Sequence, residues 1–285
     1  MEIIVGKYSG FCAGVNYTYQ KALKELENRS LYCLGEIIHN EQVIKELEAK
    51  GMITVNSLTE VPDNSSVIFR AHGEPESSYL YAKNHNINII DLTCGKVKLI
   101  HKKVLEKRND YYIIVIGKKT HPEIIGTIGF CGEYYKVIED CDDLDNLFED
   151  FKKSNREKVF VISQTTFSSS KFDLLVDKIK DIFDFPITID KSICDATEKR
   201  QKECEEISKK VSMMIIIGSK SSSNTKELYN IAIKNLKNVY FVQDISDLND
   251  ITKFEDIIGV VAGASAPKYL IDEIVSKIKE YAIDN

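Results

Sequence analysis

The sequence contains no long apolar run and no basic segment followed by an apolar one. Its longest apolar stretches, "VSMMIIIG" and "DIIGVVAGA", are far shorter than the roughly 20 residues that a membrane-spanning helix needs. The first residues, "MEIIVGKY", lack the basic start and apolar stretch of a signal peptide. We therefore expect a cytoplasmic protein with no membrane partner.

Positive charge and paired cysteines are also scarce. Lys and Arg number 38 against 44 Asp and Glu, a formal net charge of −6, so we expect no nucleic-acid partner and only a local anion site. The seven cysteines form no close CxxC pair, which fits reduced thiols better than a disulfide framework. With 43% hydrophobic and 29% charged residues, the chain has the composition of an ordinary globular protein.

Three of the cysteines mark an internal repeat. A strand-like segment precedes each of Cys12, Cys94 and Cys194, and a helical segment follows, leading into another strand. A polar loop is reached 27 residues after each cysteine, at His39, His121 and Ser221. A second polar loop follows the final strand of each copy, at His72, Thr165 and Ser265. Agreement at several markers indicates a threefold repeat.

The repeat predicts three domains of similar fold. Their ranges are 1–93 with Cys12, His39 and His72, 94–193 with Cys94, His121 and Thr165, and 194–285 with Cys194, Ser222 and Ser265. Strands alternating with helices predict parallel sheets, hence the α/β class. Ligands of such sheets bind beyond the carboxyl ends of the strands, where the polar loops lie. We therefore expect small parallel-sheet αβα domains around a pseudo-threefold axis, with a central metal-cluster site.

The cysteines of the repeat differ from an ordinary buried thiol. A lone cysteine is most often a small core residue, and this interpretation stands for Cys33, Cys131, Cys141 and Cys204. The three repeat cysteines each begin a predicted helix, whose N-terminus favours a metal-binding thiolate. Three thiolates suit an iron–sulfur cluster or zinc, and spacing does not separate the two. Three protein ligands also leave one coordination position open.

Histidines and hydroxyl residues fill the polar loops. His39, His72 and His121 lie in these loops, and the third copy has "SSSN" and "GASAP" in their place. Donors without a balancing cluster of acids indicate a bound phosphate or diphosphate. Glu123 is the one carboxylate among them, in "THPEIIG", and is a candidate proton donor opposite "QTT". Two histidines lie outside these loops and are interpreted as structural, His85 and His101.

The motifs together resemble a known family. "GFCAGV", "IIHN", "RAHGE", "DLTC", "THPEIIGTIG", "QTT", "ICDAT…RQ", "GSKSSSN" and "GASAP" occur in the order typical of the 4-hydroxy-3-methylbut-2-enyl diphosphate reductase family, from residue 10 to about residue 270. That family has a three-domain, pseudo-threefold α/β architecture. The resemblance implies reductive removal of the hydroxyl of 4-hydroxy-3-methylbut-2-enyl diphosphate. The products would be isopentenyl and dimethylallyl diphosphate, in the last step of the methylerythritol phosphate route to isoprenoids.

The resemblance also implies roles for individual residues. Cys12, Cys94 and Cys194 match the ligands of one 4Fe–4S cluster with one iron lacking a protein ligand. Glu123 matches the family's acid, and Thr165 and Thr166 match paired threonines near the substrate hydroxyl. The matches to the diphosphate-binding residues are His39, His72, His121, Ser222, Ser223, Asn224 and Ser265. Electrons would arrive singly from ferredoxin or flavodoxin.

Some residues depart from the family pattern, and two rival functions stay open. Asn16 and Tyr17 stand where the family commonly has Asp-Arg, and Gly95 replaces a frequent proline; none of these is an inferred ligand. One rival is a non-redox enzyme that dehydrates or isomerises a phosphorylated substrate at an open iron, which predicts turnover without a reductant. The other is a non-enzymatic iron–sulfur sensor or carrier, which predicts no phosphate pocket.

Overall fold

The computed structural model describes residues 1–283, which form three parallel four-stranded sheets with helices between the strands. The strands are β1 Glu2–Val5, β2 Leu31–Leu34, β3 Met52–Val55, β4 Ser66–Phe69, β5 Asn88–Asp91, β6 Tyr111–Ile116, β7 Tyr135–Ile138, β8 Lys158–Ser163, β9 Thr188–Asp190, β10 Met213–Ile217, β11 Val239–Val242 and β12 Ile257–Ala262. The α-helices are α1 Ala13–Leu26, α2 Glu41–Ala49, α3 Glu76–Asn84, α4 Gly95–Lys107, α5 Pro122–Ile128, α6 Leu147–Lys153, α7 Ser169–Ile182, α8 Asp195–Ser208, α9 Ser223–Asn235 and α10 Lys268–Ile283.

The predicted α/β class is confirmed, and the strand sequences show why. A parallel strand with helices on both faces is buried on both sides, so it is composed of a continuous apolar run rather than an alternating one. The central strands β6, "YYIIVI", and β10, "MMIII", have this composition, and every residue of β10 is buried. Neighbouring strands pair in parallel throughout the three sheets.

The chain forms two compact units, which we call the central and the terminal unit. The central unit comprises Tyr17–Ile37 and Glu46–Cys194, and the terminal unit comprises Met1–Asn16, Ile38–Lys45 and the chain from Asp195 onward. The central unit holds the sheets β3-β2-β4-β5 and β7-β6-β8-β9, and the terminal unit holds the sheet β1-β12-β10-β11.

Within the central unit, the loop after β4 packs closely against helix α5. A Cβ added to Gly126 of α5 would lie 3.0 Å from the carbonyl oxygen of Gly73, so glycine permits this approach. Gly73 itself has a φ of 78°, a left-handed conformation that glycine adopts without strain. Nearby, Arg108 pairs with Glu76 at 2.8 Å. The approach of Gly73 to Gly126 holds the loop after β4 against α5.

The sheet of the terminal unit departs from the simple repeat at its first strand. Within the described chain, β5 and β9, the strands that precede Cys94 and Cys194, pair with the last strand of the repeat before them. β1 pairs instead with β12, with Glu2 opposite Ile257 and Val5 opposite Val260. The chain therefore closes the third sheet with its own first strand. The ranges 1–93, 94–193 and 194–285 stay a prediction as domain boundaries.

The acidic segments after β3, β7 and β11 form short 3-10 helices with capping boxes. The caps are Ser57 with Glu60, Asp140 with Asp143, and Asp244 with Asp247. In each box one side chain accepts from a backbone N–H of the first turn and the other accepts from the N-cap backbone, which satisfies donors that the helix start leaves unpaired. Among residues 1–283, no helix combines the length and the apolar character required to cross a membrane.

Candidate active site

Cys12, Cys94 and Cys194 each directly precede a helix. Cys94 is the N-cap residue of α4, and α1 and α8 begin one residue after the other two cysteines. All three are partly exposed thiols. The unpaired N–H groups of a helix N-terminus stabilise negative charge, and the N–H of Val15 donates to Sγ of Cys12 at 3.5 Å. Accessible thiols beside backbone donors have the chemistry that metal coordination requires.

Three of the other four cysteines differ from these in burial. Cys33, Cys131 and Cys204 are fully buried, and burial raises the pKa of each thiol to about 12. Cys141 is partly buried against an apolar core of the central unit. A neutral buried thiol is a poor metal ligand, so the contrast supports the fit of the repeat cysteines to a metal cluster.

Backbone hydrogen bonds of the central unit join two of the cysteines to loops that carry other predicted site residues. The N–H of Cys94 donates to the carbonyl of Ala71 at 3.0 Å, directly before His72. The N–H of Cys194 donates to the carbonyl of Thr165 at 3.0 Å. Each cysteine therefore lies in register with the loop that follows the neighbouring strand of its sheet.

His72 and His121 lie side by side in the central unit. Their rings contact edge to face, with centroids 5.3 Å apart. His121 is the N-cap of α5, with Pro122 in the first turn, and its Nδ1 accepts from the N–H of Glu123 at 3.1 Å. Because Nδ1 accepts, the proton of the neutral ring is on Nε2. His121 therefore directs an N–H donor away from α5.

Glu123 is buried and bonded to Thr165. It is only 2% exposed. Its Oε1 accepts from the N–H of Thr165 at 2.6 Å, and its Oε2 lies 2.7 Å from Oγ1 of Thr165. Burial raises the pKa of Glu123 to about 7, although the two bonds from Thr165 lower it in part. The carboxyl group can therefore hold or release a proton near neutral pH.

The two oxygens of Glu123 are not equivalent. A backbone N–H can only donate, so Oε1 must accept from Thr165 whether or not the carboxyl group is ionised. The proton of the neutral acid is therefore on Oε2, where the Thr165 hydroxyl can accept it and pass on its own. Glu123 and Thr165 together form a short proton path.

Thr166 is held by Gln164, the first residue of "QTT". Gln164 donates from Nε2 to Oγ1 of Thr166 at 2.8 Å and accepts from the N–H of Lys118 at 3.0 Å. Gln164 is 2% exposed. The glutamine thus connects the loop after β6 with the loop after β8 and orients the Thr166 hydroxyl.

In the terminal unit, Asn40 joins the loops of His39 and Ser265. Its Oδ1 accepts from the N–H of Val43 in the first turn of α2, at 3.1 Å. Its Nδ2 donates to the carbonyl of Ser265 at 3.0 Å. An asparagine before a helix is a common N-cap, and this one fixes the residue after His39 against the "GASAP" loop.

The start of α9 carries buried polar atoms that lack a partner in the described chain. Both amide atoms of Asn224 and the hydroxyl of Ser265 are buried, and within residues 1–283 none has a hydrogen-bond partner. Ser222 caps α9 by accepting from the N–H of Thr225 at 3.3 Å, and Ser223 is the first residue of the helix. Leaving buried polar groups unpaired is costly, and a bound anion would satisfy amide and hydroxyl donors at a helix N-terminus.

The loop that leads to Cys12 is held by two charged residues of α8. Arg200, 3% exposed, donates to the carbonyls of Tyr8 and Gly10, both at 2.8 Å. Glu203 accepts from the N–H groups of Lys7 and Tyr8 at 2.7 and 2.9 Å. These charge-assisted bonds define the backbone path toward Cys12. We call Arg200 and Glu203 the α8 clamp.

The structure thus places the predicted site residues in two sets, one in each unit. The central set contains Cys94, Cys194, His72, His121, Glu123, Thr165 and Thr166, and the terminal set contains Cys12, His39, Ser222, Ser223, Asn224 and Ser265. The residues that hold these side chains were not predicted as site residues, and they are Asn40, Gln164, Arg200 and Glu203. The first three lie within the motifs "IIHN", "QTT" and "ICDAT…RQ", and Asn40 is also a recognisable capping residue before a helix. The outlying His85 and His101 pair with Asp63 and stack on Phe130, respectively.

Fold and site define an α/β enzyme with accessible thiols at helix starts, a buried acid of raised pKa, and a helix start lined by anion donors. The family model described as LytB protein matches residues 3–279. The chain belongs to the LytB protein family.

Relatives and solved structures are similar to this protein over nearly its whole chain. The 4-hydroxy-3-methylbut-2-enyl diphosphate reductase of Thermoanaerobacter sp. (strain X514) is 36% identical over 290 residues, 98% of this chain and 97% of the relative. The enzyme of that name from Clostridioides difficile (strain 630) is 36% identical, over 97% of this chain and 98% of the relative. Among solved structures, the E-1-hydroxy-2-methyl-but-2-enyl-4-diphosphate reductase of Plasmodium falciparum aligns with a TM-score of 0.89 and 32% identity, over 97% of this chain and 87% of that one.

A second solved structure supports the same grouping. An (E)-4-hydroxy-3-methyl-but-2-enyl diphosphate reductase, the terminal enzyme of the non-mevalonate pathway, aligns with a TM-score of 0.70 and 31% identity, over 98% of this chain and 100% of that one. The resemblance found in the sequence is confirmed, and so is the predicted enzyme class, an oxidoreductase.

Proposed function

We propose that this protein reduces 4-hydroxy-3-methylbut-2-enyl diphosphate to isopentenyl and dimethylallyl diphosphate, the last step of the methylerythritol phosphate route. The carbon–oxygen bond of the substrate hydroxyl breaks and a carbon–hydrogen bond forms. Two electrons and two protons are consumed, and the hydroxyl leaves as water. The relatives' names support the substrate, and the chain's own residues support each role below.

We assign Cys12, Cys94 and Cys194 as ligands of one 4Fe–4S cluster with one iron lacking a protein ligand. The assignment is supported by three partly exposed thiols that each precede an α-helix, in contrast to the fully buried thiols of Cys33, Cys131 and Cys204. When bound, such a cluster supplies electrons one at a time and a Lewis-acidic iron for the substrate oxygen. The α8 clamp would hold the backbone that carries Cys12 in a fixed conformation.

The observation that carries the proposal is the buried pair of Glu123 and Thr165. Hydroxide is a poor leaving group, so the departing oxygen needs a proton. With a pKa of about 7, Glu123 holds that proton on Oε2 in a large fraction of molecules at neutral pH. The Thr165 hydroxyl, 2.7 Å away, would pass it toward the substrate hydroxyl, with Thr166 oriented beside it by Gln164.

The diphosphate would be bound by donors from both sets of site residues. The proposed ligands are His39, His72, His121, Ser222, Ser223, Asn224 and Ser265. The buried amide of Asn224 and hydroxyl of Ser265, which lack a hydrogen-bond partner within residues 1–283, support this role, because an anion would satisfy the N–H and O–H donors. Anchoring the diphosphate fixes the reacting end of a small substrate, and orientation of this kind contributes several kcal/mol to catalysis.

We further propose that ferredoxin or flavodoxin donates the electrons, since both carry single electrons, and that the enzyme works in the cytoplasm. A reductase completes no turnover without a source of electrons. The donor is therefore testable by replacing the chemical reductant with each protein in the assay below.

An anaerobic assay with and without reductant tests the proposed function. Holoenzyme is mixed with 4-hydroxy-3-methylbut-2-enyl diphosphate, and the products are resolved by chromatography. We expect both isopentenyl and dimethylallyl diphosphate, formed only when reductant is present. Turnover of the substrate without reductant would instead support the non-redox enzyme, and absence of any turnover with a full cluster would support the sensor or carrier.

A further inference from the structure

A cavity of about 480 Å³ lies at the carboxyl edge of the sheet β3-β2-β4-β5, in the central unit. The chain runs from β2 to β3 on one side and places β4 on the other side of β2, so the cavity lies where the strand order reverses. Sheets of this class bind ligands at such a point. Its polar lining residues are Asn56, Ser57, Thr59, Arg70, Glu74, Ser77, Ser78 and Tyr81.

Arg70 supplies the positive charge of this cavity. It follows β4, and its guanidinium lies over Gly35, where an added Cβ would overlap Nη1. Nε donates to Glu74 at 3.3 Å. Within residues 1–283, neither terminal nitrogen of Arg70 has a hydrogen-bond partner, although the side chain is only 17% exposed. Two donors in a fixed fork are therefore available to a ligand.

Nearby carboxylates do not occupy this fork. Glu74 meets Arg70 through one bond only, and burial raises the pKa of Glu74. Glu60 is engaged elsewhere, since its Oε1 accepts from the N–H groups of Asn56 and Ser57 at 2.9 and 2.8 Å. The N-cap of α3 is Pro75, which makes no side-chain cap bond. The cavity therefore presents a guanidinium, several hydroxyls and a helix start without a side-chain cap.

The corresponding points of the other two sheets are filled by the protein itself. Between β6 and β8, Gln164 accepts from the N–H of Lys118. Between β10 and β12, the Thr225 hydroxyl lies against both Gly218 and Gly263, close enough that a Cβ on either glycine would overlap it. The fold therefore does not require a cation and an open cavity at this point, and the first sheet has both.

We propose that this cavity binds a phosphate-bearing small molecule through Arg70, the hydroxyls of Ser77 and Ser78, and the N-terminus of α3. Guanidinium, hydroxyl and helix N–H donors are the groups that recognise phosphate oxygens, and the volume lies within the usual range for a small-molecule pocket. The residues are distinct from those proposed for the substrate diphosphate. Arg70 and Glu74, which line the cavity, flank His72 in the chain. A molecule bound in the cavity would therefore contact the loop that carries His72.

Equilibrium dialysis of anaerobic holoenzyme with radiolabelled inorganic diphosphate tests this inference. We expect two bound equivalents per chain. Asn224→Ala should remove one of them, at the terminal unit's donors. Ser78→Asp should weaken the other by about tenfold or more, because a carboxylate beside Arg70 repels the anion.

Ser78→Asp is expected to fold, since an acidic residue in the first turn of a helix is favourable. Ser276→Asp on an exposed stretch of α10 makes the same charge change and should leave both sites intact. Arg70→Gln should weaken the same equivalent as Ser78→Asp. A single bound equivalent of diphosphate, removed only by Asn224→Ala, would overturn the inference. Two bound equivalents that neither Ser78→Asp nor Arg70→Gln weakens would also overturn it. Diphosphate binding that is weakened by Ser78→Asp but not by Asn224→Ala would support this site and contradict the proposed substrate site.

Discussion

Glu123 acquires its chemistry from burial, and its replacement is the sharpest test at the scale of one residue. Glu123→Gln keeps the size and polarity of the side chain but removes the acid. We expect turnover to fall on the order of 10²–10⁴-fold, the usual contribution of a general acid. Iron content and substrate affinity should stay close to those of the parent. Steady-state kinetics with saturating reductant, together with iron analysis, give these quantities.

The pH profile separates loss of an acid from loss of a contact. Because the acid form of Glu123 disappears as the pH rises through about 7, kcat/KM of the parent should fall over that range, and Glu123→Gln should lose this limb. Glu157→Gln, at an exposed glutamate of the central unit, should behave like the parent. Near-normal turnover in Glu123→Gln would remove Glu123 from the proposed mechanism.

Burial of Glu123 also has a consequence for stability. Its pKa is about 7 in the folded protein, above the ordinary value of 4.5, so its contribution is present below pH 4.5 and is lost as the pH rises through about 7. Compared with Glu123→Gln, the parent should therefore lose stability between pH 5 and pH 8. Urea unfolding of both proteins at pH 5 and pH 8 gives the difference between their free energies of unfolding. If that difference is the same at both pH values, burial does not raise the pKa of Glu123.

His121 combines two roles that different substitutions separate. As the N-cap of α5 it accepts from Glu123 N–H, and we propose that its ring also binds the diphosphate. His121→Ala should weaken substrate binding and lower the free energy of unfolding by about 0.5–2 kcal/mol. His121→Asn, which retains a good cap, should weaken binding with little loss of stability. Equal loss of stability in both variants would show that the cap contributes nothing.

At the scale of elements, helix α8 orders the loop before Cys12 through its clamp. Glu203→Ala removes the acceptor of two backbone N–H groups. We expect it to lower the free energy of unfolding by about 1–2 kcal/mol and to lower the iron bound per chain. Urea unfolding and iron analysis of anaerobically purified protein measure both effects.

The matched control for the clamp lies on the same helix. Glu206→Ala removes an exposed carboxylate of α8 and should leave stability and iron content close to those of the parent. If Glu203→Ala and Glu206→Ala behave alike, the clamp has no part in ordering the Cys12 loop.

Most elements of the fold could be predicted from the sequence, and one pairing could not. The repeat spacing and the apolar strands predict parallel βα units because these patterns are local. The pairing of β1 with β12 joins Glu2 to Ile257, and periodicity carries no information on which sheet edge a terminal strand fills. The sequence predicts only polar segments where the 3-10 helices lie, because a helix of one or two turns leaves little periodic signal.

For the molecule as a whole, the site residues could be predicted from the sequence, but the residues that hold them in place could not. Cys12, Glu123 and Asn224 stand out through position in a repeat or a family motif. Arg200 lies in the motif "ICDAT…RQ" and Glu203 at an ordinary helix position, but the partners of both are nearly 200 positions away in the chain. The pKa of Glu123 depends on burial, which only the folded chain defines.

The central claim is that three particular thiols of the seven hold an iron–sulfur cluster. Cys12→Ser, Cys94→Ser and Cys194→Ser should each lose iron and activity together, because three protein ligands leave no redundancy. Cys33→Ser, Cys131→Ser, Cys141→Ser and Cys204→Ser should retain iron and change stability by about 1 kcal/mol.

Metal and sulfide content of the anaerobically purified protein, with its electron paramagnetic resonance spectrum after reduction, tests that claim most directly. The account predicts about four iron and four sulfide per chain and a 4Fe–4S signal, each lost in the variants at Cys12, Cys94 and Cys194 and kept in the other four. Stoichiometric zinc without iron, or equal loss of iron from both groups of variants, would contradict it.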